Sequence, residues 1–248
     1  MLKKERQSFI LHQVNLHNKV LSVDLSHQMN VSEDTIRRDL NEMAQENQLF
    51  KVHGGALSRS FHLSFESKHV YALDDKKAIA LKACSLIKDG MFVLTTGGTT
   101  IIELAKALPH NLSATFITVS LPAAYEYIRH PNIDVIFIGD KISKSSQIAI
   151  GGETVAKIKT IKPDICFIGV NALDVPHGLT DNDWDVVQIK KAMIEVSEKI
   201  VSLAISEKLN TCQRIKICEL QQIDTLITEM DPENEQLLPY KQSGITIL

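Results

Sequence analysis

Ser32-Glu33-Asp34-Thr35-Ile36-Arg37-Arg38-Asp39-Leu40, followed by Lys51-Val52-His53-Gly54-Gly55-Ala56-Leu57, is the stretch that decides how this chain folds. Stepping about 100° per residue from Ile36 puts Ile36, Leu40 and Met43 on one narrow stripe, the side that packs inward. Asp34, Arg38 and Asn41 point the opposite way, with Thr35 and Arg37 on the flanks. Ser32 is a good N-cap, and Glu33 and Asp34 suit the positive end of the helix dipole. Upstream, Leu25 and Met29 lie four apart on a preceding helix that Ser22 is expected to cap, and Asn30-Val31 forms a tight turn between the two. Two short helices joined in this way, the second with exposed basic and polar side chains, follow the helix-turn-helix pattern. After them, Asn47 is placed to stop the helix in a left-handed conformation. Gly54-Gly55 lets the chain bend into a wing.

The residue types suggest a role. An arginine forks onto the two major-groove acceptors of guanine or clamps a phosphate. Asparagine can do the same for adenine, while hydroxyls at a helix N-terminus suit phosphate. The candidate DNA contacts are therefore Ser32, Thr35, Arg37, Arg38, Asn41, Lys51, His53 and Gly54. A solvated helix with two surface arginines and an ordinary hairpin would show the same pattern. Charge does not separate the two, because residues 1 to 60 carry eight Lys/Arg against seven Asp/Glu.

The run Val31-Ser32-Glu33-Asp34-Thr35-Ile36-Arg37-Arg38-Asp39-Leu40-Asn41-Glu42, then Val52-His53-Gly54-Gly55-Ala56, resembles the signature of the DeoR family. The resemblance implies a bacterial transcription regulator, usually a repressor of carbohydrate genes. It also implies an N-terminal winged helix and a C-terminal sugar-phosphate sensor similar in fold to ribose-5-phosphate isomerase. Two positions depart from the family pattern: glycine is usual where Asn47 stands, and a basic residue is common at Phe50.

At 248 residues, with 44% apolar and 23% charged residues, the chain has room for one small and one larger globular domain. No apolar run approaches the roughly 20 residues that span a bilayer, so no membrane is expected as a partner. The start, Met-Leu-Lys-Lys-Glu-Arg-Gln, lacks the apolar core of a signal peptide. Cys84, Cys166, Cys212 and Cys218 show no metal-ligand spacing and read as reduced thiols of a cytoplasmic protein, with no metal and no cofactor expected. A net charge of −3 means that DNA affinity must come from a local patch.

We assign residues 1–57 to the winged helix-turn-helix and 58–74 to a linker. Residues 75–248 form a mainly parallel α/β domain. In this last part Ile79, Ala83, Leu86 and Ile87 form a helical stripe, with Gly90 as the stop. Strand-like apolar runs follow at Phe92–Thr95, Thr115–Ser120, Ile133–Ile138, Ile165–Val170, Lys199–Ile205 and Thr225–Thr228. Helical segments at Thr99–Leu108, Pro122–Arg129 and Asp185–Glu198 lie between them. Such alternation, with strands apolar throughout, predicts a parallel sheet covered on both faces.

Leu94-Thr95-Thr96-Gly97-Gly98-Thr99-Thr100 links a strand to a helix. Two glycines admit an anion close to the backbone, and hydroxyls and the helix N-terminus supply donors. The loop has neither a Walker lysine nor dinucleotide spacing, and many such loops only connect. The resemblance extends to Lys76–Ala80, Gly97–Thr100, Thr118–Ser120, Gly178–Thr180, Ile189–Met193, Ser206–Lys208 and Ile223–Glu229. On it rests the assignment of Thr96, Gly97, Gly98, Thr99, Thr100, Ser120 and Lys208 to a phosphorylated-sugar effector. Three positions depart here as well: the family usually has aspartate at Thr95, asparagine at Val119 and aspartate near Ile205.

Three readings stand at this point. The first is a DNA-binding repressor, dimeric or larger, released from its operator by a phosphorylated sugar. The second keeps DNA binding but makes the large domain a ligand-free oligomerisation scaffold. The third is an isomerase-like enzyme. That one needs a carboxylate base, for which Asp140, Asp181, Asp183 and Asp185 are the nearby candidates. The replacements at Thr95 and Ile205 speak against turnover, so no catalytic residue is assigned.

Overall fold

A computed structural model describes residues 2–59 and 70–248, which fall into two compact units, Met1–Tyr71 and Ala72–Leu248. Most of the stretch read as a linker, 60–69, lies outside the described residues. At its ends, Ser58 belongs to a strand, and Leu73 and Asp74 open a helix.

The first unit runs α1 (Lys3–His17), β1 (Lys19–Leu21), α2 (Ser22–Met29), α3 (Glu33–Gln45), β2 (Leu49–Val52) and β3 (Gly55–Ser58). The strands form an antiparallel sheet in the order β1-β3-β2. Ile36, Leu40 and Met43 are fully buried, as the helical stripe required, among Ile10, Val14, Leu25 and Leu49. Asn30 and Asn47 adopt left-handed φ of 51° and 59°, ending α2 and the turn after α3. Ser22 does not cap α2. Leu21 still pairs with Gly55 in the sheet, so the helix begins directly from extended chain. The Ser22 N–H is instead taken by the Gly54 carbonyl at 2.8 Å.

The wing depends on its two glycines for different reasons. Gly54 takes a left-handed φ of 76°, which costs a residue without Cβ nothing. At Gly55 a Cβ would lie 1.9 Å from the Val20 carbonyl oxygen, so only glycine allows β1 and β3 to approach.

The second unit runs α4 (Leu73–Cys84), β4 (Phe92–Thr95), α5 (Thr99–Ala107), β5 (Ala114–Thr118), α6 (Leu121–Tyr127), β6 (Ile133–Phe137), β7 (Lys141–Ile142), β8 (Ala149–Ile150) and α7 (Gly152–Ile158). It continues with β9 (Ile165–Gly169), β10 (Ala172–Asp174), β11 (Gly178–Asp181), α8 (Trp184–Val196), β12 (Ile200–Leu203), β13 (Ile215–Cys218), β14 (Thr225–Ile227), α9 (Leu238–Gln242) and β15 (Thr246–Ile247). Seven strands form one sheet in the order β15-β14-β12-β9-β4-β5-β6, with every pairing parallel.

Side chains alternate across a strand, so Leu94, Ile117, Cys166 and Ile168 pack with Val187, Ile189 and Met193 of α8. Val93, Phe116 and Phe167 between them are fully buried as well. Both faces are covered, which is why the central strands read as unbroken apolar runs.

Among the differences from the sequence reading, two concern the second unit's architecture. Helix α4 ends at Cys84, before Gly90, because Ser85, Leu86 and Ile87 close i→i−3 hydrogen bonds that tighten its last turn. A second sheet, β10-β11-β13, is antiparallel and was not anticipated, since its strands are short and partly polar. Among the described residues no helix is long and apolar enough to cross a membrane.

Candidate functional site

The exposed face of the first unit is built on α3. Ser32 caps the helix, its Oγ accepting the Thr35 N–H at 3.3 Å and lying 2.9 Å from the Thr35 hydroxyl. Arg37, Arg38 and Asn41 are exposed, and Thr35 is half-buried. The two arginines differ. Arg37 leans on its own helix, 3.3 Å from Asp34 and 3.7 Å from Glu33. Arg38 has no ion-pair partner among the described residues, which leaves its guanidinium available.

In the wing, Lys51, His53 and Gly54 are exposed. Arg59 places its guanidinium 5.1 Å above the Phe50 ring and donates to Asn47 Oδ1 at 3.1 Å. A cation therefore stands over the position that departs from the family's basic residue, supplied from the next strand end. Sequence reading missed it, because Arg59 fell within the assigned linker.

The helix owes its orientation to a pair that the pattern did not reveal. Asp39 is 2% exposed, and both its oxygens accept from Arg6 of α1, the Nη2–Oδ1 contact being 3.2 Å. Side-chain hydrogen bonding to Asp39 also raises the Arg6 pKa above its ordinary value. Lys3 and Gln7 reach Glu42 from the same side, at 2.7 and 3.0 Å.

The second site lies where β4, β5 and β9 end. Thr96 Oγ1 accepts the Gly169 N–H at 2.9 Å, tying the β4–α5 loop to β9. The approach is close: a Cβ on Gly169 would lie 2.8 Å from the Gly97 carbonyl oxygen, and one on Gly97 would lie 2.6 Å from Ile148 Cγ2 and 3.4 Å from Ser120 Oγ. Ser120 is thus brought against the loop, and it caps α6 by accepting the Ala123 N–H at 3.4 Å. Gly98, at φ 119°, precedes α5 without any side-chain cap. The first N–H groups of α5 therefore have no acceptor within the helix. Thr99 and Thr100 are buried there.

Three buried lysines act on one another's charge near the end of β9. Lys208 Nζ donates to the Val170 carbonyl at 2.7 Å, and Lys190 Nζ donates to the adjoining Gly169 carbonyl and to Asp181 Oδ2, both at 3.0 Å. Lys76 of α4 is close enough for its charge to act on Lys208. All three are less than a tenth exposed. Burial, then the like charges of Lys76 and Lys190, push Lys208 down to about 7. Burial brings Lys76 down to about 8, opposed by Glu103, Asp75 and Glu207. Burial alone would raise Asp181, but the Lys190 charge and hydrogen bond, with the Asn182 and Asp183 N–H groups, hold it below the usual carboxylate range. Of the lysines only Lys208 was assigned from sequence. Lys76 and Lys190 appeared as landmarks of the resemblance but carried no assignment.

The acidic run after β11 divides its work. Asp183 caps α8 through the Asp185 and Val186 N–H groups, at 3.2 and 3.3 Å, whereas Asp181 is buried as the partner of Lys190.

The model of the DeoR-like helix-turn-helix domain matches residues 6–61, and that of the DeoR C terminal sensor domain matches residues 72–230. The chain belongs to the DeoR family. Relatives include the uncharacterized HTH-type transcriptional regulator YulB of Bacillus subtilis, 32% identical, with 99% of this chain and 97% of that protein covered. Another is the glycerol-3-phosphate regulon repressor of Escherichia coli, 26% identical, with coverage of 94% and 93%. Among solved structures, ribose 5-phosphate isomerase A from Methanocaldococcus jannaschii is 21% identical with a TM-score of 0.40, over 55% of this chain and 54% of that one.

Within this DeoR-family sensor unit the three departing positions are all buried. Thr95 Oγ1 receives the Tyr127 hydroxyl at 3.3 Å, Val119 joins the hydrophobic cluster, and Ile205 is 2% exposed. None offers a carboxylate to the lysines. Chemically, a helix N-terminus without a side-chain cap and buried lysine side chains are both groups that attract an anion.

Proposed function

We propose that this DeoR-family transcription regulator is a repressor of carbohydrate genes, acting in the cytoplasm as a homodimer or larger assembly and released from its operator by a phosphorylated sugar. One observation supports the effector reading: the buried Lys190 and Lys208 donate to the Gly169 and Val170 carbonyls, at the strand end that the Gly97 carbonyl approaches, and the charge of the buried Lys76 acts on Lys208. Buried like charges are costly, and a dianionic phosphate offsets that cost. The sugar carbons would extend toward Ser120 and Thr96, and Thr99, Thr100, Gly97 and Gly98 would cradle the phosphate.

DNA contact falls to Arg38 and Asn41 in the major groove. Ser32, Thr35, Arg37, Lys51, His53 and Gly54 would meet the backbone on either side. Two copies reading paired half-sites multiply the affinity. A ligand that binds the two DNA-competence states unequally then shifts occupancy of the operator. The name of the glycerol-3-phosphate regulon repressor agrees with a small phosphate ester as ligand. Turnover is disfavoured: Asp181 is engaged by Lys190 at 3.0 Å, Asp183 caps a helix, and Thr95 and Ile205 bring no base.

The test is fluorescence anisotropy of a labelled duplex from the region upstream of the protein's own gene, followed by addition of a panel of phosphorylated sugars. Tight, salt-sensitive binding reversed by one compound supports the reading. Tight binding that no phosphate ester disturbs, together with no uptake of inorganic phosphate by the protein, favours the ligand-free scaffold instead.

A further inference from the structure

Sequence spacing offers the four cysteines no metal partners, yet the fold brings an aspartate and a histidine near one of them. Cys84, Cys166 and Cys218 are wholly or partly buried, and burial raises their thiols to about 11, 12 and 11; Cys212 is the exposed one. Its Sγ, a carboxylate oxygen of Asp174 and a ring nitrogen of His177 all lie within 4.8 Å of one another.

Asp174 ends β10 and His177 sits in the turn to β11, whereas Cys212 belongs to the segment entering β13. The segment is fixed on both sides of Cys212. Before it, Leu209 bridges to Leu173, and the buried Tyr240 hydroxyl receives the Asn210 N–H at 2.9 Å while donating to the Leu173 carbonyl at 3.1 Å. After it, the Gln213 N–H donates to Thr180 Oγ1 at 2.8 Å. The turn is fixed as well: Asp174 Oδ1 accepts the His177 N–H at 2.9 Å, and Oδ2 lies 2.7 Å from His177 Nδ1.

We propose that Asp174, His177 and Cys212 form a binding site for a divalent cation of zinc type. One sulfur, one nitrogen and one oxygen donor are the ligand types that zinc takes, and three protein ligands leave a fourth tetrahedral position for water. Tetrahedral coordination asks for donors about 3.3–3.6 Å apart, so the set needs movements of about 1 Å, most of them within exposed side chains. Binding displaces the Cys212 thiol proton and any proton shared between His177 and Asp174. The ion then ties the β10–β11 turn to the segment leading away from Lys208, which stands four residues before Cys212. None of its three donors is among the residues assigned to the effector.

The probe is cobalt(II), then zinc, titrated into the untagged full-length protein under reducing conditions. The expected result is one equivalent of cobalt per chain with a thiolate-to-cobalt charge-transfer band. C212S should lose the band, and both C212S and H177A should bind zinc at least about tenfold more weakly than the parent. Circular dichroism should be unchanged in both, since both side chains are exposed. Absence of the band in the parent, its survival in C212S, or zinc affinity unaltered in both variants overturns the proposal.

Discussion

Replacing Lys208 with methionine is expected to raise stability and abolish the response to the effector. In the fold Lys208 titrates at about 7 against an ordinary 10.5, with burial as the main cause. Between those values the unfolded chain binds more protons than the folded one, so this side chain destabilises the fold progressively as pH falls from 10.5 toward 7. At about 1.36 kcal/mol per pH unit the cost at neutral pH is on the order of 4 kcal/mol. Methionine, of similar length, removes it but leaves the Val170 carbonyl without its 2.7 Å donor, a loss of about 1–3 kcal/mol. The net gain at pH 7 is then about 1–3 kcal/mol, at about 2–4 °C in Tm for each kcal/mol. Near pH 10 most of the original cost has gone, so the advantage of the variant should vanish or reverse. Urea titration followed by Trp184 emission is the assay, because the single tryptophan lies in this unit. A variant less stable than the parent at pH 7, or a difference that does not change with pH, refutes the reasoning. The gain in stability should come with loss of phosphate-ester release from the duplex, the usual trade at a binding site.

Three further outcomes are expected. Arg38→Ala should weaken operator binding by about 1–3 kcal/mol with unchanged circular dichroism; unaltered affinity would mean that the recognition face has been misplaced. Asp39→Ala strands Arg6 and should cost about 3–5 kcal/mol in the helix-turn-helix unit, seen as early loss of helical signal in urea, whereas replacing both residues by apolar ones should recover much of it. Gly55→Ala drives a Cβ to within 1.9 Å of the Val20 carbonyl, so operator binding should fail while the Trp184-reported transition stays in place; normal affinity would show that the wing tolerates a shift of β1.

Helices and central strands were legible because their signals are local. The stripe of Ile36, Leu40 and Met43, the cap at Ser32 and the left-handed Asn47 each depend on residues within one or two turns. The strands around Leu94, Ile117 and Cys166 are apolar on both faces, so they read correctly apart from their ends. At Thr115–Ser120 the strand stops at Thr118, since Ser120 is taken as the cap of α6. Strands β10, β11 and β13 escaped notice because three or four residues with a Thr, Asp or Lys among them carry no reliable period.

The sequence by itself determined the recognition helix, its exposed arginines, the glycine-bent wing and the alternation that makes a parallel sheet. Each is decided by steric or periodic demands over a few bonds. Only the tertiary structure decided that Lys76, Lys190 and Lys208 are buried, that Asp39 answers Arg6, that Arg59 covers Phe50, and that Cys212 lies near Asp174 and His177. A charged residue in a sequence reads as solvated. Whether it is buried, and which distant charge it faces, depends on how strands far apart in the chain are placed beside one another, and no local pattern encodes that.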